Sequence, residues 1–162
     1  MKKLLGAVSL AIASSAFVLL GCAPDAVTSA AKLSKAKVWL HEVQFKIGKN
    51  MNNNSPVTVK VVIVHEDELY KQIGKLTAAD FFQQEANLNA DHAGEFEVFT
   101  AEVVPGQKND PLVIEPSNVN SVGIWVFGRY ATPGPHRQKV GTDRIIEVEL
   151  LDKDFKINTI KP

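Results

Sequence analysis

The 162-residue chain has one cysteine, Cys22, so no disulfide can form within it. It also lacks an excess of either charge, because 18 basic residues balance 18 acidic ones. A protein that binds nucleic acid through its charge would show a cluster of lysine and arginine. The fold must therefore rest on the packing of apolar side chains, and the composition gives no support to a nucleic-acid partner.

The chain also lacks common catalytic motifs: it holds no G-x-S-x-G elbow, phosphate-binding loop or G-x-G-x-x-G turn. Its histidines are His41, His65, His92 and His136. Their spacing gives no local zinc pair, so solvated loop or strand histidines are favoured over a zinc site assembled by the fold. The acidic residues 66–68 lack the spacing of a calcium loop and suit a helix start. We expect no enzyme activity, cofactor or metal.

Residues 1–21 have the pattern of a secretory signal, with Lys2 and Lys3 before an apolar run that ends at Gly21. A retained membrane anchor is the alternative, but it needs about 20 strongly apolar residues and this run is shorter and contains serines. The stretch Leu19-Leu20-Gly21-Cys22 resembles the bacterial lipobox. There the cysteine after the cut receives a diacylglyceryl group and its new amino terminus is acylated. Lipidation of Cys22 would also cap a thiol that could otherwise pair between molecules.

The residue after Cys22 influences whether such a lipoprotein is sorted to the inner or to the outer membrane. Asp at that position tends to mark retention in the inner membrane, and this chain has Ala23. The resemblance therefore implies the outer membrane, with the protein facing the periplasm. Residues 22–36 are small and polar, which indicates a tether. Residues 37–162 suit one domain.

That domain shows mostly the two-residue period of β-strands. The clearest strand is 56–65, where Val57, Val59, Val61 and Ile63 alternate and the second half is apolar on both faces, as in a strand covered on both sides. Further strand patterns occupy residues 37–47, 95–104, 112–115, 121–130, 143–151 and 154–160. The pattern predicts a mainly β protein, an antiparallel sandwich of seven to eight strands.

Residues 66–90 change to the spacing of a helix. Thr77 and Asp80 resemble a capping box, which predicts a short helix from Thr77 to about Ala86. The sandwich is therefore expected to carry a short helical insertion.

A polar loop separates the first two predicted strands. It consists of Gly48, Lys49, Asn50, Met51, Asn52, Asn53, Asn54 and Ser55. Asparagine tolerates left-handed backbone angles and bonds its own turn, so the composition predicts a turn or loop.

The order of several short stretches resembles TssJ, the lipoprotein family of type VI secretion systems. The matching stretches are Ser55-Pro56, Ala79-Asp80-Phe81-Phe82, Val122-Gly123-Ile124 and Arg129, within residues 37–151. The resemblance implies a transthyretin-like β-sandwich that anchors the secretion apparatus to the outer membrane by binding the periplasmic domain of the inner-membrane protein TssM. It also implies that the loop 48–55 makes this contact. The composition of the loop suits a plain solvated turn equally well.

Two further alternatives concern single side chains. Arg129 is either an edge-facing charge that keeps its head in water or a contact for a partner. Trp39, Trp125 and Tyr130 either belong to the core or line a cleft. In the second case the chain would be a periplasm-facing lipoprotein that binds a small ligand or an envelope component.

Overall fold

The computed structural model describes residues 32–160, so the leader, Cys22 and the first part of the predicted tether lie outside the described residues. Besides a short 3₁₀ segment at Met51–Asn54, this part of the chain contains ten strands and two α-helices. In chain order they are β1 (Ala36–Lys37), β2 (Glu42–Ile47), β3 (Val57–Val64), α1 (Asp67–Ile73), α2 (Ala78–Asp91), β4 (Phe96–Val103), β5 (Leu112–Val113), β6 (Asn120–Ser121), β7 (Gly123–Gly128), β8 (Arg137–Val140), β9 (Ile145–Leu150) and β10 (Phe155–Thr159).

Two four-stranded sheets form the sandwich. The first has the order β10-β9-β2-β5, the second has the order β4-β3-β7-β8, and β1 pairs with β6 as a separate ribbon. Side chains of both sheets meet in one core, for example Val43 and Val148 of the first with Val61 and Val126 of the second. The prediction of a mainly β sandwich with a helical insertion is confirmed.

One strand pair departs from the expected antiparallel arrangement. β2 and β9 run parallel, in register from Glu42 opposite Ile145 to Ile47 opposite Leu150. Parallel neighbours need a long connection, and here the whole second sheet lies between them in sequence. The predicted strand 37–47 is also two strands, because β1 pairs with β6 while β2 joins the first sheet. Strands of two residues raise the number of strands above the expected eight.

The second sheet is covered on both faces, which explains the continuous apolar run in β3. Val59 and Val61 belong to the core between the sheets, whereas Val62 and Val64 pack in a second cluster with residues of both helices. All four are fully buried. The predicted strand with two covered faces is therefore confirmed, and the helices form a third layer.

The predicted helix begins where the sequence indicates, but it is longer. The Asp80 N–H donates to Thr77 Oγ1 at 3.2 Å and the Thr77 N–H donates to Asp80 Oδ2 at 3.2 Å, which closes the capping box. The helix continues beyond Ala86 to Asp91 because Leu88 is buried in the second cluster. Phe81 stacks on Phe127 at 4.5 Å between ring centroids. No helix between residues 32 and 160 has the length and hydrophobicity to span a bilayer.

Strand directions define two opposite ends of the sandwich. β3 runs from Val57 to Val64, and β7 runs back, so that Gly123 lies beside Val64. Residues 48–56, 129–136 and 151–154 therefore lie at one end, which we call the loop end. The ribbon of β1 and β6, which directly precedes β7, lies at the other, which we call the ribbon end.

Candidate functional site

The Asn-rich loop 48–55 has an unusual backbone. Asn50, Asn52, Asn53 and Asn54 have φ values of 57°, 44°, 55° and 58°, in the left-handed region. Other non-glycine residues pay an energy penalty there, whereas asparagine adopts it more readily. The turn is closed by the Asn53 N–H, which donates to Asn50 O at 2.9 Å, and by the Ser55 N–H, which donates to Asn52 O at 3.1 Å. The left-handed backbone by itself therefore explains why asparagine occupies these positions.

Asn52 is the buried anchor of this loop, with only 5% of its surface exposed. Its Nδ2 donates to Pro56 O at 3.1 Å, and its Oδ1 accepts from the Ala131 N–H at 2.9 Å. Its backbone N–H donates to Leu151 O at 3.1 Å. Because these bonds reach two other segments of the loop end, they hold the Asn-rich loop in one position.

Gly48 and Met51 complete the base of the loop. The Gly48 N–H donates to Leu150 O at 2.7 Å. A Cβ at this position would lie 2.6 Å from the same oxygen, so only glycine fits. Met51 is 1% exposed and belongs to the core between the sheets.

The structure thus divides the predicted contact residues into two groups. Gly48, Met51 and Asn52 hold the loop in place. The others are exposed at the loop end, namely Lys49, Asn50, Asn53, Asn54 and Ser55. Only this second group offers side chains to a partner.

The neighbouring segment 129–136 forms a rigid support beside the loop. His136 is buried, with Nε2 2.7 Å from Thr132 O and Nδ1 3.1 Å from Asp154 Oδ1. Tyr130 stacks on His136 at 5.1 Å between ring centroids. Desolvation raises the pKa of the Tyr130 hydroxyl, so this ring stays neutral.

Arg129 extends from this support to the surface. Its guanidinium lies over the Phe82 ring, 5.6 Å from the centroid, and the residue is exposed. It borders a cavity of about 440 Å³ between the start of α2 and residues 129–136. This position agrees with a charge that keeps its head in water and also leaves it accessible to a partner.

The three aromatic residues proposed to line a ligand cleft do not come together. Trp39 is 52% exposed at the ribbon end. Trp125 stacks on Tyr70 of α1 at 5.3 Å, and Tyr130 packs against Phe155 in the core between the sheets. The hypothesis of a cleft lined by these three residues is therefore wrong. An open groove of about 730 Å³ does lie between α2 and β4, but it contains none of them.

Two histidines that were expected to be solvated are buried, namely His65 and the His136 described above. His65 Nδ1 lies 2.6 Å from Asn120 O, and its Nε2 lies 3.1 Å from Glu97 Oε1. Desolvation opposes ionisation of Glu97, but backbone N–H donors of Ser117 and Asn118 hold its pKa below the usual value. Periodicity could not reveal this network, because its partners are far apart in sequence. Within residues 32–160 no group of three or more potential metal ligands is present.

Sequence and structure comparisons give different results for this chain. No protein-family model matches it, and no curated protein matches it in sequence. Solved structures do match, and two of them are described here. Serratia marcescens Lip, a membrane-bound component of the type VI secretion system, aligns with a TM-score of 0.51 and 13% identity over 79% of this chain and 98% of its own.

The second structure is the type VI secretion lipoprotein TssJ1 from Pseudomonas aeruginosa. It aligns with a TM-score of 0.50 and 13% identity over 75% of this chain and 95% of its own. At such identities the likeness establishes a shared fold. The expected resemblance to TssJ is confirmed at that level.

Proposed function

We propose that this chain is the outer-membrane lipoprotein of a type VI secretion system. In this proposal acylated Cys22 holds it to the membrane, and its loop end binds the periplasmic domain of a TssM-like inner-membrane protein. Two observations support the assignment: the lipobox at residues 19–22, and a fold shared with two type VI secretion lipoproteins over nearly their whole length. The role is attachment, and catalysis has no part in it.

The main support for the proposed partner contact is that Asn52 holds the loop in one position. Its bonds to Ala131 and Leu151 hold the exposed amides of Asn53 and Asn54 at one end of a rigid sandwich. A loop that is already ordered loses little conformational entropy on binding. Each amide offers both donors and acceptors, which suits a polar and specific contact.

The location of this surface also agrees with an anchoring role. The described chain begins at the ribbon end, where Lys35 pairs with Glu66 just beyond β3. The Asn-rich loop lies at the opposite end. A domain tethered by its N-terminal side would therefore present this loop away from its membrane, towards a partner in the periplasm.

The test is a binding measurement with the purified periplasmic domain of the TssM-like protein from the same cell. Replacing Asn53 and Asn54 by glycine keeps the left-handed backbone but removes both amides. We expect the double variant to lose affinity by about tenfold or more, as for residues central to an interface. Asn87→Ala with Asn89→Ala removes two exposed amides from α2 and is the matched control.

The outcomes separate the two parts of the proposal. Absence of binding by the unaltered protein would overturn the partner assignment. Equal binding by the protein and its loop variant would leave the partner in place and remove the Asn-rich loop from the contact.

A further inference from the structure

Exposed large apolar side chains are concentrated at one end of the molecule. In the part of the chain that the structure describes they are Leu33, Trp39, Val113 and Val119, between 40% and 59% exposed. Val113 lies opposite Glu42, the first residue of β2, and Val119 O accepts from the N–H of Val38. Leu33 lies two residues before Lys35, which pairs with Glu66 just beyond β3, and Trp39 borders a cavity with Ser121. All four therefore lie at the ribbon end.

Two lysines accompany these side chains. Lys37 Nζ lies 5.1 Å from the centroid of the Trp39 ring, and Lys139 Nζ lies 5.8 Å from that of Tyr70. Both residues border the same cavity of about 250 Å³ beside Trp39. Neither ammonium forms an ion pair with any carboxylate of residues 32–160. We call this surface the ribbon-end patch; it comprises Leu33, Lys37, Trp39, Val113, Val119 and Lys139.

Some of the other charged side chains near the patch are already paired. Glu66 pairs with Lys35 at 2.6 Å, and Asp67 pairs with Lys71 at 2.8 Å. The Lys35 hydrogen bond holds the pKa of Glu66 below its usual value, so this carboxylate stays ionised and keeps its partner. Lys37 and Lys139 form no ion pair within residues 32–160, so both can attract an external anion. The carboxylates of Glu42, opposite Val113, and of Asp143, near Gly141, are likewise without an ion pair in this range and reduce the positive charge of the ribbon end.

We propose that the ribbon-end patch rests on a bilayer surface that contains anionic phospholipid. Tryptophan is enriched where hydrocarbon meets headgroups, and lysine places its stem along apolar surface while its ammonium reaches phosphate. A scattered set of partly exposed side chains suits a soft lipid surface. The inference rests on the proposed lipidation of Cys22.

The length of chain between Cys22 and the described residues supports a lipid bilayer as the surface that the patch contacts. Nine residues lie between Cys22 and Lys32, and the ten steps from one to the other span at most about 35 Å when fully extended. An acylated Cys22 would therefore hold the ribbon end within about 35 Å of its bilayer, which lets the ribbon-end patch reach the lipid. β3 has eight residues and spans about 26 Å, so with the patch on the bilayer the loop end would stand at about that distance from the lipid.

The patch would orient the domain, while the acyl chains would attach it. Single contacts between lysine and anionic headgroups are weak. A tether raises their effective concentration, so weak contacts become sufficient once the protein is anchored. The result is a domain that stands upright with its Asn-rich loop directed into the periplasm.

Tryptophan quenching tests this directly, since the chain has only Trp39 and Trp125. The lipidated protein is reconstituted into vesicles of phosphatidylcholine alone or with phosphatidylglycerol, each containing brominated lipid. We expect Trp39 to be quenched in the anionic vesicles, and Trp39→Phe to abolish the quenching because Trp125 packs against Tyr70. Lys37→Gln with Lys139→Gln should lower the quenching by about twofold or more.

Flotation of the same vesicles separates this inference from the proposed function. If the protein fails to float, the lipid anchor and the proposed function fail. If it floats but Trp39 is not quenched in anionic vesicles, the anchor stands and the inference is overturned. A change in Trp39 emission that depends on protein concentration and not on lipid would assign the patch to contacts between copies of the chain, and would also overturn it.

Discussion

The Asn52 side chain accepts a hydrogen bond from the Ala131 N–H at 2.9 Å, although the two residues are 79 positions apart in sequence. This bond joins the Asn-rich loop to the segment between β7 and β8. It turns a stretch that could have been a solvated turn into a fixed part of the loop end. The exposed residues of the loop therefore have defined positions.

Asn52→Ala should destabilise the fold strongly. It removes two side-chain hydrogen bonds and leaves alanine at φ 44°. Each lost bond costs about 1 kcal/mol and the left-handed backbone costs about 1–2 kcal/mol, so we expect a loss of about 3 kcal/mol. Urea unfolding measures it. Asn53→Ala is the control, because it keeps only the backbone penalty of about 1–2 kcal/mol; equal losses for both variants would contradict the anchoring role of Asn52.

Gly48→Ala should destabilise by steric conflict. The new Cβ would lie 2.6 Å from Leu150 O and 3.0 Å from Leu151 Cδ2. Overpacking of this kind costs about 1–3 kcal/mol, measurable by thermal unfolding. Gly94→Ala is the comparison, since that site has φ +79° and no atom within 4 Å of the added Cβ. It should show only the backbone penalty, and only Gly48→Ala should displace the Asn-rich loop and weaken partner binding.

The capping box at α2 should make stability depend on pH. The Thr77 hydroxyl, with the Thr77 backbone N–H, holds the pKa of Asp80 below its usual value. The stabilisation is therefore present above the unfolded pKa, about 3.9, and is lost as the pH falls through the lower folded pKa. Asp80→Asn should lower the melting temperature at pH 7, and the difference from wild type should shrink below about pH 4. A difference that stays constant with pH would exclude ionised Asp80 from the cap.

Cys22→Ser should change location without changing the fold, because residues 32–160 form their core without Cys22. We expect the variant to leave the membrane fraction, since one or more acyl chains supply the attachment. Fractionation of cells and thermal unfolding of the purified protein measure the two effects. Retention of the variant in the outer-membrane fraction would show that lipidation is not the anchor.

Several features of the fold follow from local sequence alone. The alternation of Val57 to Ile63 predicts a strand, and apolar residues on its other face predict the second covered surface. Thr77 and Asp80 predict the helix start. These signals are reliable because each arises within a few residues, from strand period or from a cap.

Other features depend on neighbours that are distant in sequence. Periodicity carries no strand direction, so the parallel pairing of β2 with β9 was not predictable. The burial of His65 and the separation of Trp39 from Trp125 likewise depend on which surfaces pack together. Strand pairing and side-chain burial of this kind depend on the total apolar surface that whole sheets bury against each other, and no short stretch of sequence encodes that total.

The Asn-rich loop shows both contributions. Its four asparagines by themselves determined a turn or loop, because this residue tolerates left-handed angles. Only the tertiary structure decided that Asn52 is buried while Asn53 and Asn54 are exposed. The physical reason is that the partners of Asn52 are backbone groups of Ala131 and Leu151, which reach it only when the sandwich has closed.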